Sequence, residues 1–271
     1  MLHEFQYLAP SSLSELLEFL AKNGSETMVM SGGTDLLVNI RAGLMKPSYV
    51  ADLKHIEQLH ELSFDEKTGL TIGACVTVNE LVANPDVQKR YPILFKAGSE
   101  LATFQLRNRA TVAGNVVTAS PCGDMSSPLL CLGAKVVITS KDGSREVPFS
   151  EFITGVKKTV LAPSEIVERI VVPTDMLDAR GEYRKLKRIK GHDLGIIAVA
   201  LLKKDQKMRI AIGSAAPRPI LLPDFPESAK VEEVQEAAHK AISPIDDVRC
   251  TKEYRDFMVG VYIKRLMQEV K

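Results

Sequence analysis

The chain has 271 residues, 45% of them apolar and 25% charged, enough to bury the core of one large or two modest domains. Its 35 Lys and Arg balance 34 Asp and Glu, which argues against a nucleic-acid partner or an anionic membrane surface. No run approaches the ~20 apolar residues of a membrane span, and the opening Met1-Leu2-His3-Glu4-Phe5 has no basic region followed by an apolar one, so we expect no export signal and a cytoplasmic protein.

Ser12 and Glu15 predict a capping box for a first helix with the apolar face Leu13, Leu16, Leu17 and Leu20, and Asn23-Gly24 ends it. Glu26–Met30 reads as a short strand running into Ser31-Gly32-Gly33, a second helix covers roughly Asp35 to Ala42, and Tyr49–Leu53 is another strand. The first ~55 residues thus form a small α/β unit. Leu70–Ala74 opens a second region, with helical patterns around Val78–Ala83 and Ile93–Leu101. Thr111–Ala119 and Ala134–Ser140 read as strands, the second followed by an Asp142-Gly143 turn, and Glu165–Val172 is a strand stopped by Pro173. From Thr174 the texture changes. Tyr183–Lys190, the apolar run from Leu194 to Leu202 and Met208–Ser214 suggest antiparallel strands or a strand–helix mixture, and Val231–Ala241 and Thr251–Met267 look helical, which gives an α+β C-terminal part. The basic stretch Arg184, Lys185, Lys187, Arg188, Lys190 reads on composition as a solvated strand or turn. Cys75, Cys122, Cys131 and Cys250 lack CxxC spacing and predict reduced thiols rather than a zinc or iron–sulfur site; if electrons pass through this chain, the carrier is something other than its cysteines.

Two glycine loops carry the chemistry. Val29-Met30-Ser31-Gly32-Gly33-Thr34-Asp35-Leu36 joins a strand to a helix, and Thr111-Val112-Ala113-Gly114-Asn115 leads into an apolar segment. Glycines let the backbone take positive φ and approach a ligand closely, and successive free N–H groups make an anion nest that suits a pyrophosphate without a lysine. Hydroxyls at Ser31, Thr34 and Thr111 add donors. Neither loop is a G-x-G-x-x-G fingerprint or a G-K-[ST] phosphate loop, so a nicotinamide-binding Rossmann domain is not expected. A single such loop is more often a tight connection; two can clamp one diphosphate from opposite sides.

The longer run Gln105-Leu106-Arg107-Asn108-Arg109-Ala110-Thr111-Val112-Ala113-Gly114-Asn115, followed by Pro121, Asp124 and Pro128-Leu129-Leu130, resembles the flavoprotein subunit of the molybdenum hydroxylases, a family that includes xanthine dehydrogenase and aerobic carbon monoxide dehydrogenase. The family pattern is Q-[IL]-R-N-x-A-T-x-G-G-N, then P-x-x-D and P-x-L-L. Phe5, Tyr7 and Pro10 match its opening, Ser31–Leu36 its A-G-G-T-D-L loop, and Thr154–Leu161 with Pro163–Ile166 its F-x-G-x-[RK]-[KR]-T-x-L-x-P-x-E block. Arg188 with Asp193-Leu194-Gly195 and the turn Ala216–Pro219 extend the resemblance over the whole chain, in order. Ser31 and Gly195 stand where Ala is usual, and Ala113 where Gly is usual, which we expect to be tolerated.

The resemblance implies an α+β protein. Residues 1–174 would form a PCMH-type FAD-binding domain, the fold shared with vanillyl-alcohol oxidase, from two α/β subdomains of about 1–55 and 56–174. Residues 175–271 would form a C-terminal α+β domain. It implies FAD held by Val29 to Leu36 and Thr111 to Asn115, Asp124 accepting hydrogen bonds on the ribose or adenine side, and Leu101 and Val167 packing on the cofactor. Lys185, eight residues before Asp193, would lie by the flavin ring and Leu194 at its face. It implies a molybdopterin-binding large subunit and a [2Fe-2S] small subunit as partners, with NAD or another acceptor taking the electrons. Two other readings stand beside it. A stand-alone flavoenzyme, such as a UDP-sugar enolpyruvyl reductase or an alcohol oxidase, needs an acid or base beside flavin N5 or a covalent histidine, and His3, His55, His60, His192 and His239 all lie outside the glycine motifs. A non-catalytic assembly subunit would have no use for the retained loops.

Overall fold

Three sheets of three or more strands hold most of the extended chain in the computed structural model, which describes residues 3–271. The first is parallel, with Tyr49–Asp52 between Gln6–Leu8 and Thr27–Met30. The helix Leu13–Asn23 buries Leu16, Leu17 and Leu20, each worth roughly 1.5–3 kcal/mol of apolar burial. Ser12 caps it through Glu15 N, but the Glu15 carboxylate turns to the N–H and hydroxyl of Ser11, so the expected reciprocal box is only half made. The complete box lies at Thr77 and Glu80, ahead of Val78–Ala83.

The second sheet is antiparallel, in the order Leu62–Asp65, Gly69–Gly73, Ile166–Val172, Lys135–Ser140, Gly143–Pro148. Its last two strands form the hairpin that Asp142-Gly143 predicts. Neighbouring strands Gly69–Gly73 and Ile166–Val172 lie far apart in sequence. Between them the chain runs through short helices, including Pro92–Glu100, Val112–Val117 and Ser126–Cys131. Here the expected strand at Thr111–Ala119 is corrected: Val112–Val117 is helical, with Thr111 as its N-cap. β-Branched Val112, Val116 and Val117 favour a strand locally. However, Thr111 Oγ1 accepts from Gly114 N, and Val112, Ala113 and Val116 are buried at helical spacing, so capping and packing override propensity.

The third sheet places Arg180–Leu186, Ile197–Lys204 and Lys207–Gly213 side by side, with Ile220–Leu221 and Phe225–Pro226 pairing onto the last. Ile197–Lys204 is buried on both faces, which explains why it reads as an unbroken apolar run. Ala198, Ala200 and Leu202 join the large core shared with the first two sheets, and Ile197, Val199 and Leu201 join a separate core under helices Val231–Ala241 and Lys252–Glu269. Small alanines let the sheet approach the helix Ser126–Cys131 closely. No helix of the described residues is long and apolar enough to cross a membrane.

Candidate functional site

The two glycine loops meet over one short segment, residues 74–78. Ser31 Oγ donates to Ala74 O at 3.0 Å, Val112 N donates to Val76 O at 3.1 Å, and Val78 N donates to Ala110 O at 2.9 Å. A Cβ at Gly32 would stand 2.1 Å from Arg109 O, so only glycine lets the first loop lie against the backbone that leads into the second. Thr118 Oγ1 donates to Asp35 across the pair at 3.4 Å. Gly33 takes φ +72°, the left-handed conformation its place in the turn requires.

Each loop divides into a buried anchor and a free backbone. Met30 and Leu36 pack into a small core with Ile40 and Val50, and Val29 packs on the main core. Among the described residues the N–H groups of Gly32, Gly33, Thr34 and Asp35 donate to nothing within the chain, nor does that of Ala113. The expected donor set is therefore corrected in part. Ser31's hydroxyl is committed to Ala74, and Thr111's oxygen caps its helix, so the backbone N–H groups and Thr34 are what an anion would meet. Such a donor set, with a glycine contact that a Cβ would fill, fits a diphosphate. Ala113 lies in the helix, buried, and is not among the positive-φ residues, so its replacement of Gly costs no strain. Gly114 and Asn115 are half-buried, and Asn115 Oδ1 accepts from Met125 N at 3.2 Å, which holds the turn that bears Asp124. Ala119 closes the helix at φ +47°, and its carbonyl accepts from Lys157 N at 2.9 Å, tying the 154–161 block to the second loop.

Behind each loop lies a Tyr–Asp–Lys trio. Under the first, Lys54 Nζ reaches Asp52 at 2.7 and 2.6 Å and donates to Ser31 O at 3.3 Å, while Tyr7 OH donates to the same carboxylate at 2.8 Å. Burial pushes Asp52 up, but hydrogen bonds from Lys54 and Tyr7 outweigh it and hold the carboxyl below its usual range. Behind the second, Tyr183 OH and Lys185 Nζ each donate to Asp124 at 2.9 Å, one to each oxygen. Here burial dominates and Asp124 is raised in spite of Lys185. Burial and the adjoining carboxylate also push the Tyr183 hydroxyl well up.

Asp124 and Lys185 thus occupy one place, whereas the resemblance assigns Asp124 to the ribose or adenine side and Lys185 to the flavin ring. The basic stretch is a solvated strand end and turn at Arg184, Arg188 and Lys190, which are exposed, and departs from that reading at Lys185, whose side chain is buried. Arg184 pairs with Glu269, Lys185 with Asp124, Lys187 with Glu100 and Arg188 with Asp193, and the strand ends at Leu186. Leu194 is 59% exposed on the loop after it, whereas Leu101 and Val167 are buried in the main core. Arg249 binds Gly195 O at 2.9 Å and Cys122 Sγ at 2.8 Å, fastening this loop to the turn beside Asp124. Sequence reasoning misses Lys54, Asp52 and the 74–78 segment. Their signal is slight: two charges two residues apart where an apolar strand ends, and backbone contacts that no side chain reports.

A glycine turn at the end of a parallel strand and a capped helix start beside it, with free N–H groups and no phosphate-binding lysine motif, fit a dinucleotide-binding protein of non-Rossmann type. The comparisons make the class specific. Residues 3–175 match the family described as FAD binding domain in molybdopterin dehydrogenase, and residues 181–270 match the CO dehydrogenase flavoprotein C-terminal domain. The chain belongs to this family, the FAD-binding subunits of molybdopterin-dependent oxidoreductases. It is 29% identical to the carbon monoxide dehydrogenase medium chain of Hydrogenophaga pseudoflava, over 97% of this chain and 96% of that one. It is 26% identical to the xanthine dehydrogenase FAD-binding subunit of Escherichia coli O157:H7, over 97% and 94%. Among solved structures it is similar to carbon monoxide dehydrogenase from Hydrogenophaga pseudoflava (TM-score 0.92, 28% identity, 100% of this chain and 98% of that one). It is also similar to quinoline 2-oxidoreductase from Pseudomonas putida 86 (TM-score 0.90, 26% identity, 100% and 98%).

Proposed function

We propose that this chain is the electron-transfer subunit of a molybdenum hydroxylase. It binds FAD non-covalently in a PCMH-type domain of residues 1–174, and residues 175–271 complete the subunit. A molybdopterin-binding large subunit oxidises the substrate, and a [2Fe-2S] small subunit delivers the electrons to this chain. NAD or another acceptor takes them away. FAD, when bound, supplies the redox chemistry; the chain's own residues bind and orient it. The free N–H groups of residues 32–35 and the helix start at Thr111–Asn115 hold the diphosphate, and Thr34 adds a hydroxyl. Lys185 and Asp124 act as one unit on the flavin side, with Tyr183 and Lys185 each donating to the carboxylate and the pair setting the polarity beside the ring. The exposed Leu194 covers the ring, and Leu101 and Val167 shape the pocket from the core. The names of the relatives support the division of labour, and a cytoplasmic setting accords with the cysteine usage.

The observation that carries this reading is the junction of two glycine loops over residues 74–78. Gly33→Asp and Gly114→Asp each place a carboxylate against the proposed diphosphate. We expect the wild-type chain to show flavin absorbance that acid or heat releases as intact FAD, and each variant to lose most of it. Full flavin occupancy in both variants would overturn the site.

A further inference from the structure

We infer that Lys54 is a positioning residue for FAD: it does not touch the diphosphate but fixes the carbonyl of Ser31, and so the set of the first glycine loop, from a base supplied by Asp52 and Tyr7. The inference rests on the proposed diphosphate site and adds to it. Ser31 is gripped at both ends, its carbonyl by Lys54 Nζ at 3.3 Å and its hydroxyl by Ala74 O at 3.0 Å. Gly32 and Gly33, which follow, have no side chains with which to hold their own geometry, and their N–H groups face no partner among the described residues. A loop that must present free donors cannot satisfy them internally, so its shape comes from contacts at its edges, and Ser31 carries two of them. Lys54 is bound to supply that shape. Its ammonium sits within 2.7 Å of both oxygens of a buried carboxylate, and its own backbone N–H donates to the same Asp52 at 3.0 Å. Tyr7, from the neighbouring strand, takes up the remaining capacity of Asp52 at 2.8 Å. His60 Nε2 lies 3.0 Å from Lys54 O, which settles the main chain of the residue as well. The ammonium's charge is matched by Asp52 at contact distance, so its reach toward an anion is that of a neutral pair and its influence runs through Ser31.

The alternative, direct attraction between Lys54 and the diphosphate, predicts a different sign for one variant, and that sign is the test. The full chain is stripped of flavin and titrated with FAD, and in parallel with riboflavin, which lacks the diphosphate. Lys54→Met weakens FAD binding roughly tenfold on either account, as loss of a charge-assisted hydrogen bond would. Asp52→Asn decides. If Lys54 positions the loop, the neutral amide of that variant no longer anchors the ammonium, FAD binding weakens by a similar factor, and the double variant is little worse than either single one. If Lys54 acts by charge, removing its counter-ion tightens FAD binding, and this result would overturn the inference. Lys54→Arg, which keeps a donor within reach of both Asp52 and Ser31, restores most of the affinity, and riboflavin binding is unchanged throughout. Circular dichroism of each stripped variant checks the fold; should Asp52→Asn not fold, Asp52→Ser, which removes the same counter-ion with a smaller side chain, is titrated in its place with the same two signs. Unchanged FAD affinity in Lys54→Met overturns the inference while leaving the glycine-loop site standing, provided Gly33→Asp and Gly114→Asp lose flavin. If those two retain it, the site itself has failed.

Discussion

The two glycine loops rest on the same three residue types in different surroundings. Around a buried Asp52, Tyr7 and Lys54 keep contact with water: Tyr7 is 51% exposed, and the Lys54 side chain 30%. Tyr183, Asp124 and Lys185 are enclosed between the second loop and the third sheet, with Tyr183 at 4% and the Lys185 side chain at 2%. Each carboxylate accepts from one tyrosine and one lysine at similar lengths, yet the carboxyl is lowered in one trio and raised in the other. The difference is the desolvation that each ion pair has to offset, which rises steeply with depth. A trio whose tyrosine and lysine reach water can lend stability to a loop. A buried one contributes little net stability while it is whole and costs much when it is broken.

The largest effect expected from this contrast is on folding. Lys185→Met strands the Asp124 carboxylate and should cost ~3–5 kcal/mol, as broken buried pairs do, with a large part recovered in the Lys185→Met, Asp124→Asn double variant. Lys54→Met, whose site still reaches water, should cost about 1–2 kcal/mol. Lys187→Met breaks a pair with the half-exposed Glu100 and should cost at most about 1 kcal/mol. Urea unfolding of the three ranks them; equal costs for Lys185→Met and Lys54→Met would mean that depth does not separate the trios.

A smaller effect, of opposite sign in the two places, should appear on changing pH. The folded-state pKa of Asp52 is lowered, so its contribution is present above the unfolded value of ~3.9 and is lost as pH falls through the lower folded one. That of Asp124 is raised, so folding favours its protonated form and stability is lost as pH rises from ~3.9 through the folded value. The stability advantage of wild type over Asp52→Asn should therefore shrink on acidification, and that over Asp124→Asn should shrink as pH rises. Two profiles of the same slope would contradict the assignment.

Much of this arrangement is legible in the sequence, for identifiable reasons. Helices with a clear apolar face, such as Val231–Ala241, and strands bounded by Gly or Pro, such as Ile166–Val172, lie where their periodicity puts them. The glycine loops are visible because Gly32 and Gly33 answer to backbone demands that no other residue meets. Val112–Val117 misleads because its β-branched residues speak for a strand while its burial, at i, i+1 and i+4, speaks for a helix. The trios are hidden for another reason. Asp52 and Lys54 are near neighbours, but Tyr7 is 45 residues from Asp52, and Tyr183 is 59 from Asp124, so only the folded chain assembles them. Of the basic stretch, Lys185 is hidden in the same way, since the carboxylate it meets in a buried site lies in another part of the sequence.

The joint between the loops is the feature from which the binding site follows, and Gly32 is where it can be tested without adding charge. Its Cβ would meet backbone, Arg109 O at 2.1 Å, which cannot swing aside as a side chain could. The direct measurement is FAD affinity of the flavin-stripped Gly32→Ala chain, beside a riboflavin titration and a circular dichroism spectrum. We expect FAD binding to weaken by at least about tenfold, from loss of the charge-assisted contacts of a displaced loop, with the spectrum and riboflavin binding unchanged. Wild-type FAD affinity in Gly32→Ala would contradict the clamp.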